Sequence, residues 1–236
     1  MTETRSARPG KAGHPSPNTE APAAEPKRVK STKGEQSKKL LLDAALVSIA
    51  KQGIYSITHR SIAAEAGVPK SLTTYFFSSL PDLLEQAFIH FTVLAADDNV
   101  KHLEELDALM ASRTTTWPLS PGARRTLHKL LSQRLAEFIL RQATEHPVGV
   151  AVELNFLYVY RSDKPIRQHI EAYRGMLLNR LANLIRRFSG RNAAIDASLM
   201  LGMIHQLLFK STITPQEIDR ERVHAEVSRM MAFILL

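Results

Sequence analysis

The stretch Thr58-His59-Arg60-Ser61-Ile62-Ala63-Ala64-Glu65-Ala66-Gly67-Val68-Pro69-Lys70-Ser71-Leu72-Thr73-Thr74-Tyr75-Phe76-Phe77 reads as two short helices joined by a tight turn, the outline of a helix-turn-helix. Thr58 is a start signal, because its hydroxyl can accept from the unpaired backbone amides of the first turn. Ile62 and Ala66, four residues apart, form the inward face of the first helix. Gly67 ends it: the chain must swing sharply there, and only a residue without a Cβ enters left-handed geometry at little steric cost. Pro69 opens the second helix, where its fixed φ suits the first turn and its missing amide is not needed.

Projected at 3.6 residues per turn, the second helix places Thr73, Phe76 and Phe77 inward and Ser71, Thr74, Tyr75 and Ser78 outward, with Lys70 and Leu72 flanking the outward face. Hydroxyls, an aromatic ring and an ammonium near a helix N-terminus suit phosphate oxygens and base edges. A solvated amphipathic helix that happens to follow a glycine turn has the same pattern, and short look-alikes are common.

Upstream, Leu42, Ala45, Leu46 and Ile49 fall at helical spacing between Gln36 and Gln52. Gly53 stops that helix, and Ile54 and Ile57 plug the base of a three-helix unit. The run Ile62-Ala63, Ala66-Gly67-Val68 and Thr74-Tyr75-Phe76-Phe77, followed by Pro81, Leu83 and Leu84 and preceded by this amphipathic helix, resembles the DNA-binding domain of TetR-family transcriptional regulators. The resemblance is specific over about residues 38–88; beyond them the chain agrees with the family in length and helical character. It departs at Ser71, where the family commonly has Gly, and at Leu80, where Lys or Arg is usual and is expected to grip a phosphate. No DNA contact is therefore carried over to Leu80. The Thr74-Tyr75 order also differs from the commoner form.

The resemblance implies an all-α fold, with a three-helix helix-turn-helix domain followed by a helical bundle for ligand binding and dimerisation. It also implies a homodimer that binds a near-palindromic double-stranded DNA operator and responds to a small-molecule effector, with His59, Arg60, Lys70, Ser71, Leu72, Thr74 and Tyr75 expected at the duplex.

With 236 residues and 44% apolar content, the chain can bury a sizeable core, and one small plus one medium domain fit better than a single globule. The expected division is a basic disordered tail over 1–35, the helix-turn-helix domain over 36–80 and the helical domain over 81–236. No apolar segment approaches a membrane span, and the N-terminus has no signal-peptide pattern. The absence of Cys fits a reducing cytoplasm. The net charge of +8 divides as +3 over residues 1–35, +1 over 36–88 and +4 over the remainder. The helix-turn-helix domain is thus hardly basic in sum, and its affinity rests on local placement of Lys70, Arg60, Lys38 and Lys39. In the Pro-rich tail, Lys27-Arg28-Val29-Lys30-Ser31-Thr32-Lys33 fits an arm along the phosphate backbone or a solubilising leader equally well.

Downstream, Ser79-Leu80-Pro81 opens a long helix with a stripe of Leu83, Leu84, Ala87, Phe88, Phe91, Leu94 and Ala95, which Asp97-Asp98-Asn99 is expected to bend or end. Residues 111–119, including Trp117, read as a loop, and Ser120-Pro121 starts the next helix. Val148, Val150, Val152, Leu154 and Phe156 alternate as in a strand. No convincing partner strand exists, so a buried helix over about 148–160 is expected. Ile166 to Phe188 keep helical spacing up to Ser189-Gly190.

Residues 193–209 leave little polar face, so a helix there needs cover on both sides. Thr214-Pro215-Gln216-Glu217 reads as a capping box for a last helix. These two helices are expected to pair with their two-fold mates through Leu199, Met203, Leu207, Val223, Val227, Met230 and Ile234.

The nine His form no zinc-ligand pattern, and no nucleotide loop or nucleophile elbow appears, so neither a metal nor a cofactor is expected and catalysis is not. Trp117, Phe138, Phe156, Tyr158, Tyr173 and His205 are the candidates for lining a small-molecule pocket, although aromatics at helical spacing usually fill space. The leading reading is a transcriptional repressor. Its rivals are an all-α small-molecule-binding protein without DNA reading and a non-specific architectural DNA binder.

Overall fold

The structure, a computed structural model, describes residues 33–111, 119–159, 164–188, 192–213 and 218–235. The tail over 1–32, Trp117 with its loop, the Ser189-Gly190 stop and the capping box at 214–217 lie outside the described residues. Within them all regular elements are helical: α1 (Lys33–Gln52), α2 (His59–Glu65), α3 (Lys70–Phe76), α4 (Leu80–Ala111), α5 (Pro121–Glu145), α6 (Pro147–Leu154), α7 (Lys164–Arg186), α8 (Ala193–Ile213) and α9 (Arg220–Leu235). A π-helical turn, Asn155–Val159, continues α6. No helix among the described residues is long and apolar enough to cross a membrane.

The local signals act as expected in the first four helices. Thr58 Oγ1 accepts from the Ser61 amide at 3.0 Å, and Ser61 Oγ accepts from the Thr58 amide at 2.8 Å. This reciprocal cap satisfies two otherwise orphaned donors at the start of α2. Gly67 adopts φ +65° and Gly53 φ +80°, the left-handed turns that release α2 and α1. At the start of α4, Asp82 Oδ2 accepts from the Ser78 amide at 2.7 Å, and Ser79 Oγ accepts from the Asp82 amide at 3.2 Å.

Three boundaries differ from expectation. α9 starts at Arg220, where Asp219 Oδ1 accepts from the Arg222 amide at 2.9 Å, and not at 214–217. α1 already includes Lys33 to Glu35, ahead of the expected start at Gln36. α4 runs unbroken through Asp97-Asp98-Asn99 to Ala111. Asp and Asn are only mildly unfavourable inside a helix, and neither Gly nor a second Pro interrupts α4 after Pro81.

Two apolar cores lie inside the unit formed by Lys33–Leu236. The first joins Leu41, Ile49, Ile62, Phe77, Leu83 and Phe88 of the helix-turn-helix region to Val152, Phe156, Ile166 and Tyr173. The second is built from α5, α8 and α9 with the distal half of α7. α6 is buried between them, and this explains the alternating pattern at 150–156. Val150 and Leu154, one helical turn apart, enter the second core, whereas Val152 and Phe156 enter the first. A helix buried on opposite faces produces the alternation of a strand without being one.

A Cβ at Gly67 meets nothing within 4 Å, so Gly67→Ala creates only the left-handed strain. We expect it to lower unfolding free energy by about 1 kcal/mol, measured by urea denaturation.

Asp43 of α1 accepts from Lys39 Nζ at 2.6 Å and faces His90 Nε2 of α4 at 2.6 Å. Partial burial pushes its carboxyl up, but the bonds from Lys39 and His90 outweigh this and hold it below the usual value of 3.8. Its stabilising contribution is therefore complete above that value and is lost as pH falls through the lower folded one. Asp43→Asn should be less stable than the wild type at pH 6, with the difference narrowing as denaturant midpoints are followed below pH 3.8.

Candidate nucleic-acid interface and ligand cavity

α3 is pinned by its inward side. Thr73 and Phe77 are buried, and Leu72 and Phe76 are half-buried against the first core. Its outward side carries exposed Lys70, Ser71, Thr74 and Tyr75, the last with 78% of its surface accessible. Tyr75 is braced edge-on against Phe76, with ring centroids 4.9 Å apart. Thr74 donates its hydroxyl to the Ser71 carbonyl at 3.1 Å, which leaves its oxygen lone pairs directed outward as acceptors.

Among the other residues expected at the duplex, Arg60 is exposed on α2. His59 is half-buried, and its Nδ1 has no hydrogen-bond partner among the described residues. Leu72 turns towards the core and offers a phosphate or base little of its surface. Leu80 likewise packs against the first core.

The neighbouring cations are less available than their number implies. Lys39 is paired with Asp43, Lys51 pairs with Glu65 at 2.8 Å, and Lys38 lies over the Phe77 ring at 5.9 Å. Among the described residues Arg60 and Lys70 are exposed on this face with no ion-pair partner.

Behind this region is a cavity of about 600 Å³ bordered by α4, α5, α6, α7 and α8. Most of its wall is apolar, including Phe91, Phe138, Leu181, Phe188, Leu201 and Ile204, while His102, Gln142, Glu145, Glu153, Arg180 and His205 supply polar groups. Of the residues expected to line a pocket, Phe138 and His205 do so. Phe156 instead packs at a tilt against Phe88 in the first core, with ring centroids 4.7 Å apart. Tyr173 is buried beside them and donates its hydroxyl to Glu153 Oε1 at 3.2 Å. Burial, then the Glu153 charge and this bond, push the Tyr173 phenol far above its ordinary value. Tyr158 is exposed and reaches His205 Nδ1 with its hydroxyl at 2.7 Å, holding the ring from outside the cavity wall.

Sequence reasoning missed Arg180, Glu153 and Asn155. The first two sit at positions of helical spacing that look like solvated polar faces. Asn155 shares an otherwise apolar run with Glu153, and that is the local signal it offered. Its Oδ1 accepts from the Ile54 amide at 3.2 Å, and its Nδ2 donates to the Ala151 carbonyl at 2.9 Å, so it ties the end of α6 to the turn between α1 and α2.

On the far side of the second core, α8 and α9 expose Ile195, Leu199 and Phe233, with Leu199 55% and Phe233 63% accessible. Leu199, Met203, Met230 and Phe233 line a shallow groove together with Glu226 and Arg229. Of the residues expected at a dimer contact, Leu207, Val223 and Val227 are buried within the protomer's own core, because α5 packs on α8 and α9 and takes up that side. Ile234 is also largely buried but reaches the groove.

This arrangement is the fold of TetR-like transcriptional regulators. A TetR-like transcriptional regulator from Rhodococcus sp. RHA1 superposes with a TM-score of 0.58 at 16% identity, covering 87% of this chain and 97% of that one. A protein from Saccharomonospora viridis, described as a transcriptional regulator and solved in complex with choline, gives 0.63 at 18% identity, covering 84% and 96%. In sequence, the HTH-type transcriptional dual regulator CecR of Shigella flexneri is 35% identical over 118 residues, 47% of this chain. The match spans about half, 52%, of that protein's length. No family model matches the chain.

Proposed function

We propose that this protein is a sequence-specific DNA-binding transcriptional regulator, a homodimeric repressor released by a small-molecule effector. The observation that carries the reading is α3: a helix locked by Thr73 and Phe77 that presents Lys70, Ser71, Thr74 and Tyr75 to solvent. The likeness in fold to known regulators and the partial match to CecR support it. Lys70 and Arg60 meet phosphates, Tyr75 and the hydroxyls meet phosphate or base edges, and Leu72 contributes packing more than contact. A two-fold pair of subunits demands half-sites about one helical turn, roughly 34–36 Å, apart. On this reading the protein works in the cytoplasm alongside its DNA and is not an enzyme.

Dimerisation uses the outward strip of α8 and α9, centred on Leu199, Met203, Met230 and Phe233. The effector occupies the cavity, and α6 carries its influence: Glu153 borders the cavity, while Asn155 holds the Ile54 amide at the base of the DNA-reading helices. An effector acts only by binding one arrangement of the heads better than the other.

Selection of bound fragments from a random duplex pool tests the reading: it requires a near-palindrome with one-turn half-site spacing, and enrichment without sequence preference overturns it. Lys70→Ala should weaken binding to all selected sites and flatten the dependence of log affinity on log salt by about one unit. Phe233→Asp should convert dimer to monomer in sedimentation equilibrium while the thermal midpoint of the protomer stays within a few degrees, since the ring is solvent-exposed. A wild-type chain that sediments as a monomer at tens of micromolar (roughly the protein level used in such work) contradicts the dimer.

A further inference from the structure

The charged groups on the cavity wall are unequally matched. Glu153 is engaged: its Oε1 accepts from the Tyr173 hydroxyl at 3.2 Å and lies 3.6 Å from His205 Nε2. The Tyr158 hydroxyl at His205 Nδ1 fits the tautomer that carries its proton on Nε2, facing Glu153. Glu145 is exposed at the rim, where water solvates it. Arg180 is the opposite case. It borders the cavity from α7, its Nη1 is out of reach of solvent, and that nitrogen has no hydrogen-bond partner among the described residues. A guanidinium stays charged at any physiological pH and has no acceptor of its own, so a buried N–H left unpaired is a standing cost that a ligand oxygen removes.

We infer that the effector is an apolar carboxylic acid whose carboxylate meets Arg180 Nη1 and whose body fills the cavity against Phe91, Phe138 and Phe188. This rests on the effector reading above and specifies its ligand. The cavity of about 600 Å³ lies in the range that encloses a small organic molecule, and its largely apolar wall rewards an apolar body. A carboxylate oxygen suits a guanidinium N–H through a charge-assisted bond. A phosphate dianion does not fit the site: it needs more donors than this one orphaned nitrogen, and it brings a second charge towards Glu153. A cationic ligand leaves Arg180 unmatched and adds repulsion, because Glu153 on the same cavity wall is already held by Tyr173 and His205.

Isothermal titration calorimetry on the full chain tests this with decanoate, dodecanoate and 5-phenylvalerate against their methyl esters and decylamine, all below micelle-forming concentrations. At least one acid should bind tenfold or more tightly than its ester. Arg180→Gln, which keeps amide donors but removes the charge, should erase that preference, whereas Arg174→Gln, an exposed position on the same helix, should leave it intact. A thermal melt of Arg180→Gln reports whether it is folded; the acid-against-ester ratio in the wild type decides the matter even if it is not. Esters binding as well as acids, the amine binding best, or no acid binding at all each overturn the assignment. Release of a selected duplex by a neutral or cationic compound overturns it while leaving the regulator reading in place. Failure to select any duplex removes the regulator reading without touching the calorimetric result.

Discussion

The structure depends on one helix being buried on two opposite faces. α6 is short, yet Val150 and Leu154 belong to one apolar core and Val152 and Phe156 to the other. Full burial of such a side chain is worth roughly 1.5–3 kcal/mol, so these four residues fasten both cores to the same two turns of backbone. The price is paid in polar groups, which have almost nowhere to go on α6. Glu153 is turned into the cavity wall and hydrogen-bonded by Tyr173, and Asn155 holds the Ile54 amide. A helix so placed cannot shift relative to one core without disturbing the other.

That placement also accounts for what was readable in the amino-acid sequence. The helix-turn-helix was legible because its determinants are local: Thr58 caps, Gly67 turns, Pro69 restarts, and Thr73 and Phe77 recur at helical spacing. The Thr58 cap closes with Ser61, a partner a few residues away, and needs no knowledge of the rest of the chain. The cavity was only partly legible, since a void is defined by what several separated helices fail to fill. Phe138 and His205 were anticipated, whereas Phe156 and Tyr173 turned out to be core residues. Arg180 was invisible because a cation on α7 looks the same whether its nitrogen faces water or an enclosed space. The alternation at 150–156 was ambiguous for a related reason, as periodicity reports burial on two sides without saying what provides it.

The face around α3 combines few unpaired cations with several hydroxyls and a braced aromatic ring. Lys38 and Lys51 tie α1 to Phe77 and Glu65, Lys39 pairs with Asp43 within α1, and all three lower the local positive field. If this face meets a duplex as proposed, it relies less on general attraction to phosphate and more on fitted contacts, because non-specific binding scales with the number of phosphates neutralised. On that reading the proportion of fixed to available charge sets the selectivity.

The Asn155 side chain and the Ile54 amide that it holds are separated by 101 positions along the chain. The core beneath α2 and α3 also needs Phe156, Ile166 and Tyr173. During synthesis, then, the helices at the N-terminal end leave the ribosome well before the residues that complete their support. The nascent head waits with apolar surface uncovered until the polypeptide has grown past residue 173, a period in which chaperones have a natural point of engagement.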